Sequence, residues 1–148
     1  MRRLGFGLVI ALTGLGGCAD DPVTGELVLE HIDGRSLVYA PTKCHDGNQR
    51  GYFGTELRDE DDRILEFRRY GSEPTLSYYA PGLGAFEVDP SLCERFEGQL
   101  MRQFNRVTDN GYTYGDLTVD CESAGGWRIA GTVTFDDCGP PPSDDDSC

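Results

Sequence analysis

Short runs in which apolar and polar residues alternate, separated by turn-forming residues, recur between residues 25 and 135. The clearest example is the pair 112–121 and 127–135, which flank the small residues of 123–126. In the second run every other residue from Trp127 to Phe135 falls on one face, and a period of two is typical of a strand with one buried face. The pattern therefore predicts an antiparallel hairpin with Trp127 in the core.

Similar signals precede this hairpin. Asp33-Gly34 and Asp109-Asn110-Gly111 are hairpin-turn signals, and the acidic run 59–62 is typical of a solvated turn. Further strands are expected at 25–32, 35–40, 50–57, 63–70, 75–80 and 85–88, with a loop at 41–49. About eight short strands with few helix signals predict an all-β fold, an antiparallel β-sandwich or a flattened barrel.

The stretch 89–107 fits two structures. Ser91-Leu-Cys-Glu94 matches a helix capping box, and apolar residues recur every four positions. A repeat of four also places residues on one face of a strand, and Gly98 weakens a helix by about 1 kcal/mol. Because the neighbouring segments are strands, we favour a strand over the middle and end of this stretch.

The first residues of the chain have the features of an export signal. The basic start Met1-Arg2-Arg3 precedes twelve uncharged residues, Leu4 to Leu15. A membrane-spanning helix needs about 20 apolar residues, so this run is too short to span and is typical of a secretory signal peptide. It ends in Leu15-Gly16-Gly17-Cys18, which resembles a bacterial lipobox.

The lipobox resemblance implies a location and an anchor. A lipid would be attached to the Cys18 thiol, and a signal peptidase would cleave between Gly17 and Cys18. Two or more acyl chains hold a protein stably on a membrane, whereas one does so only marginally. Ala19, where Asp signals inner-membrane retention in enterobacteria, favours the outer membrane of a bacterial cell envelope. The alternative is an ordinary secretory signal with a chance cysteine.

These features divide the chain into four parts. Residues 1–17 are the expected signal peptide, 18–24 the lipidated N-terminus and tether, and 25–138 the β-domain. Residues 139–148 form a Pro- and Asp-rich tail that cannot bury apolar surface and is expected to be disordered. The net charge of −13 opposes binding to nucleic acid, so no nucleic-acid partner is expected.

Cysteine usage agrees with export to an oxidising compartment. Setting Cys18 aside leaves four cysteines within the β-domain and one at the end of the tail, which would be unpaired: Cys44, Cys93, Cys121, Cys138 and Cys148. Four cysteines allow three connectivities. A straight hairpin would place Cys121 and Cys138 about 30 Å apart, beyond the reach of a disulfide. This favours Cys93–Cys121 with Cys44–Cys138 and leaves Cys44–Cys121 with Cys93–Cys138 open.

The C-terminal part of the domain carries a second resemblance. Gly115, Cys121, the run Gly131-Thr-Val-Thr-Phe135 and Cys138 resemble the C-terminal end of small uncharacterised bacterial lipoproteins. The resemblance supports the lipoprotein class and implies no activity.

No catalytic or metal-binding motif is evident, so we do not expect an enzyme or a bound cofactor. Cys44-His45 pairs a thiol with a base, but neighbouring residues of an extended chain point to opposite sides and an exported thiol is usually oxidised. The chain has two histidines, His31 and His45, and no H-E-x-x-H motif, which argues against a zinc enzyme. Calcium would find its candidate ligands at Asp59, Asp61 and Asp62, although the EF-hand spacing is missing.

Exposed aromatic residues would suggest a binding surface. Tyr112 and Tyr114 share one face of a strand, and Trp127 follows across the hairpin, so together they could stack on a sugar or a partner protein. Core packing is the commoner use of such residues. The resulting hypothesis is a lipid-anchored envelope protein with a structural or binding role and an envelope protein or glycan as partner. The alternatives are a Ca²⁺- or glycan-binding surface module and an anchored hydrolase that uses unidentified carboxylates.

Overall fold

The computed structural model describes residues 22–70, 73–106 and 110–140, and this part of the chain is all-β, as predicted. It contains two short 3-10 helices, Gly47–Arg50 and Pro90–Leu92. The ten strands, in chain order, are β1 Val23–His31, β2 Ser36–Tyr39, β3 Lys43–Asp46, β4 Gly54–Arg58, β5 Ile64–Tyr70, β6 Glu73–Ala80, β7 Gly84–Val88, β8 Cys93–Asn105, β9 Asn110–Glu122 and β10 Trp127–Cys138.

The strands form two antiparallel sheets of five strands each. The first sheet has the order β2-β1-β10-β9-β8, and the second has the order β3-β4-β5-β6-β7. The inward residues of both sheets, such as Leu27 and Ile129 in the first and Leu57 and Leu65 in the second, are fully buried. This is the sandwich that the alternating pattern predicted, with apolar side chains of both sheets in one core.

The two sheets cross at a large angle. At one end of β10, Cys138 is bonded to Cys44 of β3, and at its other end Trp127 stacks on Phe86 of β7. The strands of the second sheet, in the order β3 to β7, therefore follow one another from one end of β10 to the other and cross it, as in orthogonal sheet packing. We call the end of the first sheet that contains Cys138 the β3 end. The opposite end is called the hairpin end, because the β1–β2 and β9–β10 turns lie at that end.

Both favoured disulfides are present. Cys44–Cys138 joins β3 to β10 across a separation of 94 residues and so links the two sheets. Cys93–Cys121 joins the neighbouring strands β8 and β9 across 28 residues. Cys138 reaches β3 because it follows a register shift near the end of β10, which the straight-strand estimate did not include.

Two glycines of the C-terminal pattern lie where neighbouring backbones come close. A Cβ atom on Gly115 would lie 1.8 Å from the carbonyl oxygen of Gln99 in β8. One on Gly131 would lie 2.3 Å from the carbonyl oxygen of Glu26 in β1, and the φ of Gly131 is +141°. Only glycine fits these positions without moving a strand, so both residues have a structural role in the first sheet.

Several expected boundaries were wrong. The loop expected at 41–49 contains β3, and the strand expected from residue 50 begins at Gly54. β1 begins at Val23, which is buried, so the last two residues assigned to the tether belong to the sheet. Asn110 and Gly111 begin β9 and pair with β8, so they are not turn residues.

The ambiguous stretch is mostly strand. β8 covers Cys93–Asn105, and the preceding 3-10 helix is capped by Asp89, whose side chain accepts from the Ser91 amide, rather than by Ser91. Hydrogen bonds to Ser91 lower the pKa of Asp89. The Ser91–Glu94 capping box was therefore wrong, because Ser91 lies inside the short 3-10 turn that Asp89 caps and Glu94 already belongs to β8.

The expected signal peptide, Gly17 and Cys18 lie outside the described residues, as do Asp109, residues 141–148 and Cys148. Among the residues that the structure describes, no helix has the length and apolar character needed to cross a membrane.

Candidate functional site

The candidate site lies at the hairpin end, where two turns that are distant in sequence meet. The Ile32 amide donates to the carbonyl of Gly126 (3.0 Å). His31 Nε2 lies 3.1 Å from the carbonyl oxygen of Gly125 and donates to it. These contacts fasten the β1–β2 turn to the β9–β10 turn, so the loop residues around them have defined positions.

Polar contacts also order the β1–β2 turn internally. Asp33 accepts from the backbone amide of Arg35 (3.1 Å) and pairs with its guanidinium (2.8 Å). The hydrogen bond from the Arg35 backbone amide is the main cause that lowers the pKa of Asp33 below its usual value. His31 Nδ1 lies 2.8 Å from the same carboxylate. The Asp33-Gly34 turn predicted from sequence is therefore present and joined to the neighbouring hairpin through His31.

Trp127 forms the inner wall of this region. Its indole stacks on Phe86 (6.1 Å between ring centroids, 6° between planes) and contacts His31 (4.8 Å). The Arg35 guanidinium lies 5.4 Å from the indole centroid, within cation–π distance. Trp127 is 8% exposed, so it belongs to the core, as expected, and offers little ring surface on which a sugar could stack.

Ile32 is the most unusual residue of the site because it is apolar and 88% exposed. It lies beside a cavity of about 260 Å³ formed between the two turns. The lining residues are Glu30, His31, Ile32, Glu122, Ser123, Gly126, Trp127 and Arg128. A cavity of this size suits a side chain of a partner or a small ligand rather than a large cofactor.

The charges around the cavity are mainly acidic. Glu30, Arg128 and Glu122 occupy directly opposed positions on β1, β10 and β9, so the arginine lies between two glutamates. Arg128 binds Asp120 with two hydrogen bonds of 2.8 and 2.7 Å. Those bonds lower the pKa of Asp120 and hold that of Arg128 above its ordinary value. With Arg128 paired to Asp120, the two glutamates leave the cavity a net negative charge.

The aromatic residues grouped in the sequence are separated in the structure. Tyr112 lines a different cavity, with Phe104 and Arg106, at the β3 end. Tyr114 lies near the same end of β9, opposite Met101, whereas Trp127 lies at the hairpin end. Trp127 and the two tyrosines therefore do not form one stacking surface.

The acidic run 59–62 has a structural explanation. The buried Asp59 accepts from the amides of Asp61 and Arg63, both at 3.0 Å, and pairs with the Arg63 guanidinium at 2.5 Å. Asp61 contacts the same guanidinium, while Asp62 occupies a left-handed turn position with φ +57°. In the described ranges, no group of three or more His, Cys, Asp or Glu side chains is arranged to hold a metal ion.

The Cys44-His45 pair is not a nucleophile and base, because Cys44 is consumed by its disulfide with Cys138. Carboxylates that sequence reasoning missed lie on the outer face of the second sheet, where Glu56 and Glu66 are directly opposed on β4 and β5. Each pairs with the arginine two residues later, Arg58 or Arg68. The repeated Glu-x-Arg spacing, which places both residues on one strand face, was the available signal.

The sequence also gave no emphasis to Ile32, Glu30, Glu122 or Arg128. Three of them lie on opposed strand positions, and their proximity depends on the register of β1, β10 and β9. An isoleucine directly before an Asp-Gly turn was the one local signal of an exposed apolar side chain.

Comparison of the chain with protein-family models, with curated proteins and with solved structures finds no match.

Proposed function

We propose that this chain is a lipid-anchored protein of the bacterial cell envelope with a binding role, and that the hairpin-end cavity receives a cationic segment of an envelope partner. The single observation that carries the binding proposal is Ile32, 88% exposed at the rim of an acidic cavity whose wall is Trp127. Isolated apolar residues are common on protein surfaces, but one beside a preformed concave site is typical of a contact residue.

The position of the cavity supports this role. β1 runs from Val23, where the chain enters the sheet, to His31 at the cavity. Nine strand residues span roughly 30 Å, so a chain anchored through Cys18 carries the cavity at the far end of its first strand. A cavity placed there is accessible to a partner in front of the membrane.

The charge of the cavity identifies the chemistry of the partner. Glu30 and Glu122 flank Arg128, whose guanidinium is already bound by Asp120. A lysine or arginine side chain that enters beside Glu30 or Glu122 would gain charge-assisted hydrogen bonds and would pack its alkyl stem against the exposed Ile32. An anionic or sugar ligand would lack these interactions.

Intrinsic fluorescence tests the cavity directly, because Trp127 is the single tryptophan of the chain. We expect a lysine pentapeptide to change the Trp127 emission saturably, and a glutamate pentapeptide to have no effect. The double variant Glu30→Gln with Glu122→Gln should bind the lysine peptide with about tenfold lower affinity, which corresponds to about 1.4 kcal/mol of binding free energy. Glu26→Gln with Glu87→Gln, the same charge change at exposed positions outside the cavity lining, is the matched control.

Ile32→Ser should lower the affinity for the lysine peptide. It should leave the unfolding free energy within about 0.5 kcal/mol of wild type, since the side chain is exposed. An unchanged emission at all concentrations of the lysine peptide, or equal weakening by the control pair, would contradict the cavity proposal.

The anchor is tested separately. Metabolic labelling with a fatty acid should mark the wild-type chain and not Cys18→Ala. Equal labelling of the two would show that Cys18 carries no lipid and would leave the cavity result unaffected.

A further inference from the structure

His31 is the last residue of β1 and one of the side chains through which the two turns of the hairpin end contact each other. It lies directly opposite Trp127 of β10, and its side chain is 16% exposed. It also lines the hairpin-end cavity. A change of charge on this ring is therefore a change in the cavity wall.

Both ring nitrogens of His31 lie within hydrogen-bond distance of an oxygen. Nε2 is 3.1 Å from the carbonyl oxygen of Gly125, and Nδ1 is 2.8 Å from the carboxylate of Asp33. Both oxygens can only accept, because the hydrogen bond from the Arg35 amide lowers the pKa of Asp33 and keeps this carboxyl ionised. A neutral imidazole has one N–H and an imidazolium has two, so the imidazolium alone satisfies both oxygens.

The neutral ring has other partners for Nδ1. The Nη2 atom of Arg35 lies 3.3 Å from Nδ1, and the backbone amide of Asp33 lies at the same distance. Both groups are donors, so an unprotonated Nδ1 can accept from them while Nε2 continues to donate to Gly125. Loss of one proton therefore exchanges the partner of Nδ1 and keeps the contact between the two turns.

Charged side chains surround the ring or share its cavity, namely Asp33 and Arg35 of the β1–β2 turn, Glu30 on β1, Glu122 on β9 and Arg128 on β10. Asp33 and Arg35 pair with each other, and Arg128 is bound by Asp120. The β9–β10 turn contributes the Gly125 carbonyl, and Trp127 is uncharged. An imidazolium at His31 therefore adds one positive charge to a cavity that is otherwise net negative.

We propose that His31 is a pH-sensitive switch of the hairpin-end cavity. In the imidazolium form Nδ1 donates to Asp33, and the added positive charge opposes the entry of a lysine or arginine side chain. In the neutral form Nδ1 accepts from Arg35, and this opposition is lost. Histidine ordinarily changes its charge between about pH 5 and 8. The cavity then binds cations more tightly at neutral than at acidic pH, a consequence that rests on the proposed function.

The lysine pentapeptide measures the switch when its ends are acetylated and amidated, so that its own charge stays constant. We expect its affinity for the wild-type chain to be about threefold higher at about pH 8 than at about pH 5.5, the effect in water of one like charge about 6 Å away. Trp127 emission reports the binding at each pH.

His31→Gln removes the titrating ring and keeps a side-chain amide that can donate to the Gly125 carbonyl. Its affinity for the peptide should be the same at both pH values. The matched control is His45→Gln, the same substitution at the other histidine of the chain, on β3. This control should keep the threefold difference.

Nitrogen-15 NMR of the histidine rings tests the switch without any peptide. We expect both nitrogens of His31 to carry a proton at about pH 5.5 and Nε2 alone to carry one at about pH 8. The signals that His31→Gln removes assign the ring. A ring that keeps the same protonation at both pH values, or that loses the Nε2 proton instead, would overturn the proposal.

The two measurements separate failure of the switch from failure of the proposed function. Loss of the Nδ1 proton without peptide binding at either pH would contradict the proposed function and support the switch. Peptide binding of equal affinity at both pH values would overturn the switch and leave the proposed function intact. A pH dependence that persists in His31→Gln would assign the effect to the glutamates of the cavity and would also overturn the switch.

Discussion

The two ends of the first sheet are stabilised in different ways. At the β3 end a disulfide links the sheets, the fully buried Thr55 and Thr113 hydroxyls share a hydrogen bond of 2.5 Å, and Asp46 pairs with Arg102. At the hairpin end the contact between the sheets is the stacking of Trp127 on Phe86, and Ile32 remains exposed.

We interpret this difference as a division between an end that stabilises the fold and an end that carries the proposed binding cavity. Covalent and buried polar links fix the β3 end, because removal of either partner leaves a buried group unsatisfied or frees a long chain segment. Ring packing and turn hydrogen bonds at the hairpin end leave an open cavity between two turns.

The largest effect is expected from the disulfide between the sheets. Replacing Cys44 and Cys138 with alanine should lower the unfolding free energy by about 4.5 kcal/mol, because the cross-link spans 94 residues. Replacing Cys93 and Cys121 should cost about 3.5 kcal/mol, because the loop is 28 residues. Urea unfolding followed by Trp127 emission measures both, and a smaller loss for the first pair would contradict the comparison.

Gly115→Ala should lower the unfolding free energy by about 2–3 kcal/mol, since the new methyl would press on the Gln99 carbonyl and force β8 from β9. Gly125→Ala, in the β9–β10 turn, is the control because its nearest atoms would lie 3.8 and 3.9 Å away. We expect it to stay within about 0.5 kcal/mol of wild type. Equal losses would show that backbone crowding in the first sheet is not the cause.

Thr55→Val should lower the unfolding free energy by about 1 kcal/mol, because it removes the buried hydrogen bond that Thr55 donates to Thr113, while the Thr113 hydroxyl keeps its bond to the Cys138 carbonyl. The exposed pair Thr118 and Thr132, whose hydroxyls are 3.0 Å apart, provides the control. Thr132→Val should have an effect below about 0.5 kcal/mol, since water can replace the lost bond. Chemical denaturation distinguishes the two variants, and equal midpoints would show that the Thr55–Thr113 hydrogen bond does not stabilise the β3 end.

The stability of the hairpin end is expected to depend on pH. Tyr78 contacts Phe86, which stacks on Trp127, and burial raises the pKa of Tyr78 to about 12. The folded-state pKa exceeds the ordinary value of 10, so this contribution to stability is complete below pH 10 and is lost as the pH rises to about 12. Tyr78→Phe should reduce the loss of stability over this interval. An identical alkaline transition in the variant would exclude Tyr78 as its cause.

Local patterns accounted for much of the fold. The turn at Asp33-Gly34, the final hairpin and the burial of Trp127 follow from alternation and turn residues. β3 escaped detection because Lys43-Cys44-His45-Asp46 has no apolar alternation, and its strand conformation depends on pairing with β4 and the bond to Cys138. The candidate site escaped detection because it joins turns 94 residues apart, as the contact of His31 with Gly125 shows.

By itself, the sequence determined the all-β class, the main hairpins and a favoured cysteine pairing, because a period of two and glycine-containing turns act over a few residues. The tertiary structure alone decided that the sheets cross at a large angle, that β8 forms a long free edge and that Ile32, Glu30 and Glu122 surround one cavity. These features depend on strand register and on contacts between distant segments, which no local pattern encodes.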